Sequence, residues 1–128
     1  MEISTHEKVN PKLCGIVKEI KPGYSKIMLK TTQEMAVDQK GLIHGGFIFG
    51  LADYAAMLAV NHPNVVLSGA EVKFLKPVKI NDQIIAEAKI ISEQGKKVIC
   101  EVFVKSNDII IFSGSFICYI LKNHVLDT

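Results

Sequence analysis

Two features of the chain have residue types and spacing suited to chemistry: the carboxylate of Asp53, and the triplet His44, Gly45 and Gly46 that precedes it by nine to seven residues. Asp53 lies within FIFGLADYAAMLAV, residues 47–60, where nearly every other side chain is apolar. A carboxylate in such surroundings is costly unless a backbone amide, a Lys or a functional role compensates it. At the start of a helix, His-Gly-Gly offers unpaired N–H groups and the positive end of the helix dipole, a place to hold a carbonyl oxygen or an anion. Glycines also serve tight turns and close packing, so the pair carries meaning only with Asp53.

The spacing sets a geometric condition. Asp53 follows Gly46 by seven residues, two turns further on the same helix face and about 10 Å along the axis. One helix cannot bring both groups to one reacting carbon. If they act together, they do so across a symmetric dimer, amides from one subunit and carboxylate from the other.

The elements that position these residues are legible along the chain. Residues 47–60 predict a central core helix buried on all sides, started by Gly45 and Gly46 and stopped by Asn61 with Pro63 beyond it. The run is shorter than the roughly 18 apolar residues a membrane span requires. Residues 1–12 read as a loop or short helix packed on the body. From Cys14 the pattern turns to strand, CGIVKEI, with a turn at Lys21-Pro22-Gly23 and a second strand, YSKIMLK. A loop carrying Asp38 and Gly41 leads to His44. Beyond the helix come VVLSGAEVKFLK, QIIAEAKIIS, the turn EQGKK, KVICEVFVK, the turn Ser106-Asn107-Asp108, and IIIFSGSFICYIL; residues 122–128 form a polar tail. Two strands, a helix and four strands imply an α+β fold in one domain, 1–128, with an antiparallel sheet of about six strands wrapped around one long central helix.

Composition narrows the function classes. The 128 residues are 48% hydrophobic and 22% charged, ordinary for a soluble globular protein. All fifteen basic residues are Lys, in a net charge of +2. Without Arg forks the chain is not expected to read DNA sequence. Lys73, Lys76 and Lys79, or Lys96 and Lys97, are candidates for a ligand's phosphates, though solvated faces explain each of them singly. Cys14, Cys100 and Cys118 form no CxxC and read as buried, reduced thiols; with four scattered His they predict no metal site and no cofactor. The polar N-terminus MEISTHEKVNP is followed by no apolar signal core, which makes the cytoplasm the expected location and a membrane an unexpected partner.

The strings GLIHGGFIFGLADYAAMLAVN and AEVKFLKPVKINDQIIAEAKI resemble the hotdog-fold acyl-CoA thioesterase superfamily, in particular its phenylacetic-acid-type branch. His44, Gly45 and Gly46 match that branch's HGG, Asp53 falls at its acidic position nine residues after the His, and Pro77 matches the end of a strand. The likeness covers roughly residues 14–121. It implies a hotdog fold, a homodimer or dimer of dimers, and acyl-CoA sites at subunit interfaces, with coenzyme A as part of the ligand. It further implies a Gly45 or Gly46 amide polarising the thioester carbonyl and Asp53 as general base or nucleophile. Asp38 stands where the branch often has Asn, and Ser68 lies nearest its strand Ser or Thr. His44 is expected to be structural at the helix start. Phe47, Leu51, Tyr54 and Phe74 are candidates to line the acyl group, with core packing the competing role. The segment AEVKFLKPVK is similar also to the ligand domain of the malonyl-CoA-responsive repressor of lipid synthesis. Two functions are therefore expected: a thioesterase of fatty acid metabolism, or a non-catalytic acyl-CoA-binding or regulatory dimer.

Overall fold

The apolar face of each strand alternates with a polar one, so the sheet must cover its apolar side with something, and the helix supplies it. A computed structural model describes residues 1–127. It contains a short helix α1 (Pro11–Cys14), strands β1 (Ile16–Lys21) and β2 (Tyr24–Lys30), the long helix α2 (Gly45–Val60), and strands β3 (Val65–Phe74), β4 (Gln83–Gln94), β5 (Lys97–Ser106) and β6 (Ile109–Ile120). The strands form one sheet in the order β1-β2-β4-β5-β6-β3, with every neighbouring pair antiparallel. This is the hotdog arrangement. β1 and β3 are its two free edges.

Turn chemistry fixes the registers. Lys21 pairs with Tyr24 across Pro22-Gly23, where Pro sets one φ and Gly23 takes the positive φ of 74°. Asn107 and Asp108, both left-handed at φ 51° and 65°, close the β5–β6 hairpin as a primed turn requires. β4 and β5 extend further into EQGKK than the sequence suggests: Gln94 pairs with Lys97, leaving only Gly95 and Lys96 as the turn. Cys14 belongs to α1, capped by Asn10, rather than to the first strand.

Ile27, Leu29, Ile84, Ala86, Val98, Val102, Phe112 and Phe116 are fully buried on the inner face of the sheet, opposite Leu51, Ala52, Ala55, Ala56, Leu58 and Ala59 of α2. The run of Ala on the helix lets the sheet curl close to it. Ser25 is buried there because its hydroxyl donates to the Ala55 carbonyl at 2.6 Å. Cys100 and Cys118, distant in sequence, lie on neighbouring strands beneath the helix as buried free thiols; Cys14 is only half-buried.

The expectation of a helix buried on all sides is corrected in one respect. Tyr54 is flanked by the N-terminal segment, whose Ser4 N–H and hydroxyl bond the Asn61 side-chain oxygen and carbonyl, both at 2.8 Å, and whose His6 ring lies 6.5 Å from that of Tyr54. That segment stops short of the first half of α2. Gly46 is exposed, and Phe49, Gly50 and Asp53 are half-buried. No helix among the described residues is long and apolar enough to cross a membrane.

Candidate active site

The start of α2 is built by His44. As N-cap it holds an extended backbone, φ −62° and ψ 131°, and its Nδ1 accepts the Gly46 N–H at 2.7 Å. The backbone N–H of His44 is tied to the Met35 carbonyl at 2.9 Å, which fixes the helix start against the short 3-10 turn Gln33–Met35. His44 is thus a capping residue here. Its bond to Gly46 removes one of the two glycine amides from the reach of a ligand. The Gly45 N–H, at the first helical position, has no carbonyl of its own helix to bond and is the free donor.

Beside Gly45 lies a groove of about 340 Å³ whose walls include Leu42, Ile48, Phe74, Leu75 and Lys76. Phe74 is 52% exposed, stands edge-on to Phe112 at 5.0 Å between centroids, and approaches Gly45 so closely that a Cβ there would lie 3.2 Å from its ring. Phe47 is half-buried with its ring edge-on to His44. Gly45, Phe74 and Lys76 are therefore brought together, and His44 and Phe47 adjoin them.

Asp53 is elsewhere. Its Oδ1 is fully buried and has no hydrogen-bond partner within the chain. An orphaned buried acceptor of this kind costs roughly 1–3 kcal/mol. Burial raises the carboxyl pKa from 3.8 to about 6, and no cation offsets it. Asp53 lies near enough to Cys14 that burial and then the carboxylate together push that thiol's pKa up. At eight residues from Gly45, Asp53 is about 12 Å along the axis from the free amide.

The remaining candidates take other places. Tyr54 and Leu51 are buried, at 8% and 0% exposure. Asp38 is exposed and closes a loop, its Oδ1 accepting the Lys40 and Leu42 N–H groups at 3.0 and 3.3 Å. Ser68 sits at a bulge between Leu67 and Gly69 on β3 and donates to the Ile117 carbonyl at 3.2 Å. Among the described residues no three His, Cys, Asp or Glu side chains converge to hold a metal ion. Sequence reasoning passed over Gly50, whose signal was a glycine in the interior of an otherwise strong helix.

Comparison with known proteins gives this geometry a family. Residues 40–111, more than half of the chain, match the model of the thioesterase superfamily. An uncharacterised protein of Pyrococcus horikoshii has a crystal structure that superposes with a TM-score of 0.98 at 54% identity, covering 99% of this chain and 98% of that one. A methylthioribose-1-phosphate isomerase of Aquifex aeolicus is 53% identical over 118 residues, which are 91% of this chain and 25% of the isomerase. The transcription factor FapR of Caldanaerobacter subterraneus is 26% identical over 77% of this chain and 50% of its own length. The chain thus spans a quarter to a half of these two relatives. The matched segment contains His44, Gly45, Gly46 and Asp53, and the chain belongs to the thioesterase superfamily.

Proposed function

We propose that the protein is an acyl-CoA thioesterase whose site is completed by a second copy of the chain. The observation that carries this reading is the orphaned oxygen of Asp53, a half-buried residue in the middle of α2. In one chain it is a cost without a return. Across a two-fold axis it faces the free Gly45 amide of the partner subunit.

In this arrangement the thioester carbonyl oxygen accepts the Gly45 N–H, which lies at the positive end of α2 and stabilises the negative charge that develops during attack. Asp53 of the partner subunit takes a proton from water as the oxygen adds to the carbonyl carbon, and the C–S bond then breaks to release the coenzyme A thiol and a free acid. Burial that raises the pKa of Asp53 also makes its carboxylate a stronger base. The groove past Phe74 accepts the ligand, with Lys76 at its wall beside the anionic coenzyme. β3, a free edge of ten residues, is a surface on which a second copy extends the sheet. Gly45 is the electrophilic clamp in preference to Gly46, whose amide is already bonded.

The match to FapR supports a second reading, a dimer that binds acyl-CoA and does not cleave it. Purified protein incubated with short, medium, long and aromatic acyl-CoAs, with thiol release and binding heat recorded on the same samples, separates the two. Release that vanishes in Asp53→Ala while binding persists establishes the enzyme. Binding without release makes the protein a sensor or carrier.

A further inference from the structure

Gly50 is not demanded by the fold. It lies in the interior of α2, its φ is not positive, and a Cβ built on it meets no atom within 4 Å. Alanine there would favour the helix over glycine. The space beside Gly50 is open within this chain.

Gly46, Gly50 and Asp53 share one face of α2, with Gly46 exposed and Gly50 and Asp53 half-buried. In a two-fold dimer residue i of one copy meets j of the other and j meets i, so a Gly45 amide facing the partner's Asp53 places the dyad at the midpoint, residue 49. The Phe49 ring turns away toward Phe116, at 5.4 Å between centroids. Gly50 is left as the residue beside the axis. Helices packed through ordinary side chains stand about 8–10 Å apart, and a glycine at the crossing lets them come nearer.

We infer that Gly50 lies at the helix–helix crossing of the dimer, and that its missing side chain sets how closely one copy's Gly45 amide and the other's Asp53 approach the same carbon. This rests on the shared-site reading above. Gly50 is a positioning residue: it touches neither substrate nor water, and acts through the distance between two groups that do.

The test is a cysteine at the axis. Only a residue next to the dyad meets its own copy, and a disulfide requires Cα atoms within about 7 Å. In a Cys14→Ser background, Gly50→Cys treated with diamide, which takes up the two thiol hydrogens as the S–S bond forms, should give a species of twice the chain mass on a non-reducing gel. Cys14→Ser alone and Lys89→Cys on the outer sheet face should not. Gly50→Ala and Gly50→Leu should then lower kcat in that order, with Leu losing at least a hundredfold, while KM changes less than threefold and the helical circular-dichroism signal is retained. Cross-linking without thiol release in the parent protein would uphold the crossing and remove the thioesterase. Thiol release with no cross-link, or with kcat unchanged in Gly50→Leu, would overturn the inference and leave the enzyme standing.

Discussion

His44 Nδ1 accepts the N–H of Gly46 at 2.7 Å, so the helix start that offers two glycine amides in sequence offers one to a ligand. The cap and the clamp are separate residues, and each can be removed without the other.

Removing the cap should cost stability more than chemistry. His44→Ala deletes the acceptor for Gly46 and should lower unfolding free energy by about 1 kcal/mol, whereas His44→Asn, a strong N-cap, should restore it. Urea unfolding at fixed protein concentration checks both. A loss in His44→Ala of turnover equal to that in Asp53→Ala would instead make the imidazole part of the chemistry.

Removing the clamp should cost chemistry more than stability. Gly45→Pro deletes the N–H at the first helical position, where proline is favoured, and His44 already has the extended backbone that must precede a proline. Phe74, half exposed, has room to yield to the added ring. The variant should fold and bind acyl-CoA, yet turn over about 100–1,000-fold more slowly.

The pH dependence follows from Asp53. Its folded pKa, about 6, lies above the unfolded value near 4, so the folded state holds a proton that the unfolded state has lost between these limits. Stability therefore falls as pH rises from about 4 to about 6, and the penalty persists above. Asp53→Asn removes the charge and should be more stable than the parent by about 1–2 kcal/mol at pH 8, a figure discounted for partial solvent access, with the gap narrowing at pH 5. Denaturant curves at both values decide this; an equal gap at both would detach the effect from ionisation. The same group sets the acid limb of kcat/KM at or below about 6, because the partner subunit's helix end favours the carboxylate. A limb centred above 7 would assign the titrating group elsewhere.

The N-terminal segment should report on the helix it covers. Asn61, left-handed at φ 51°, ends α2, accepts the Ser4 N–H and donates to the Glu2 carbonyl at 2.7 Å. Asn61→Ala breaks these bonds and strains the cap, and should destabilise by about 1–3 kcal/mol. Hydrogen exchange should show residues 2–10 losing protection first.

The fold was legible because three signals agreed: a helix too apolar for a surface, strands alternating with period two, and turns at Pro22-Gly23 and Asn107-Asp108. Cys14 joins a helix through a local cap, the Asn10 side chain on the Lys12 N–H, which an alternating pattern does not reveal. The Ser4 contact with Asn61 is distant in sequence and not readable from either segment. The identity of the free amide was not readable, since nothing in HGG says that the imidazole folds back on the second glycine. Nor was the role of Asp38 in closing its own loop. Asp53 was legible as a misplaced charge, but its lack of a partner is a property of the packed chain.

The most direct test of a site shared between subunits is complementation. Gly45→Pro and Asp53→Ala chains, each inactive alone, are co-expressed with different tags and purified through both, so that every dimer is mixed. Each mixed dimer then has one site with an intact amide and an intact carboxylate. About half of the parent's thiol release per dimer is the expected result. No recovery in a mixed dimer of normal stability would contradict the shared site, since both residues would then have to act within one chain.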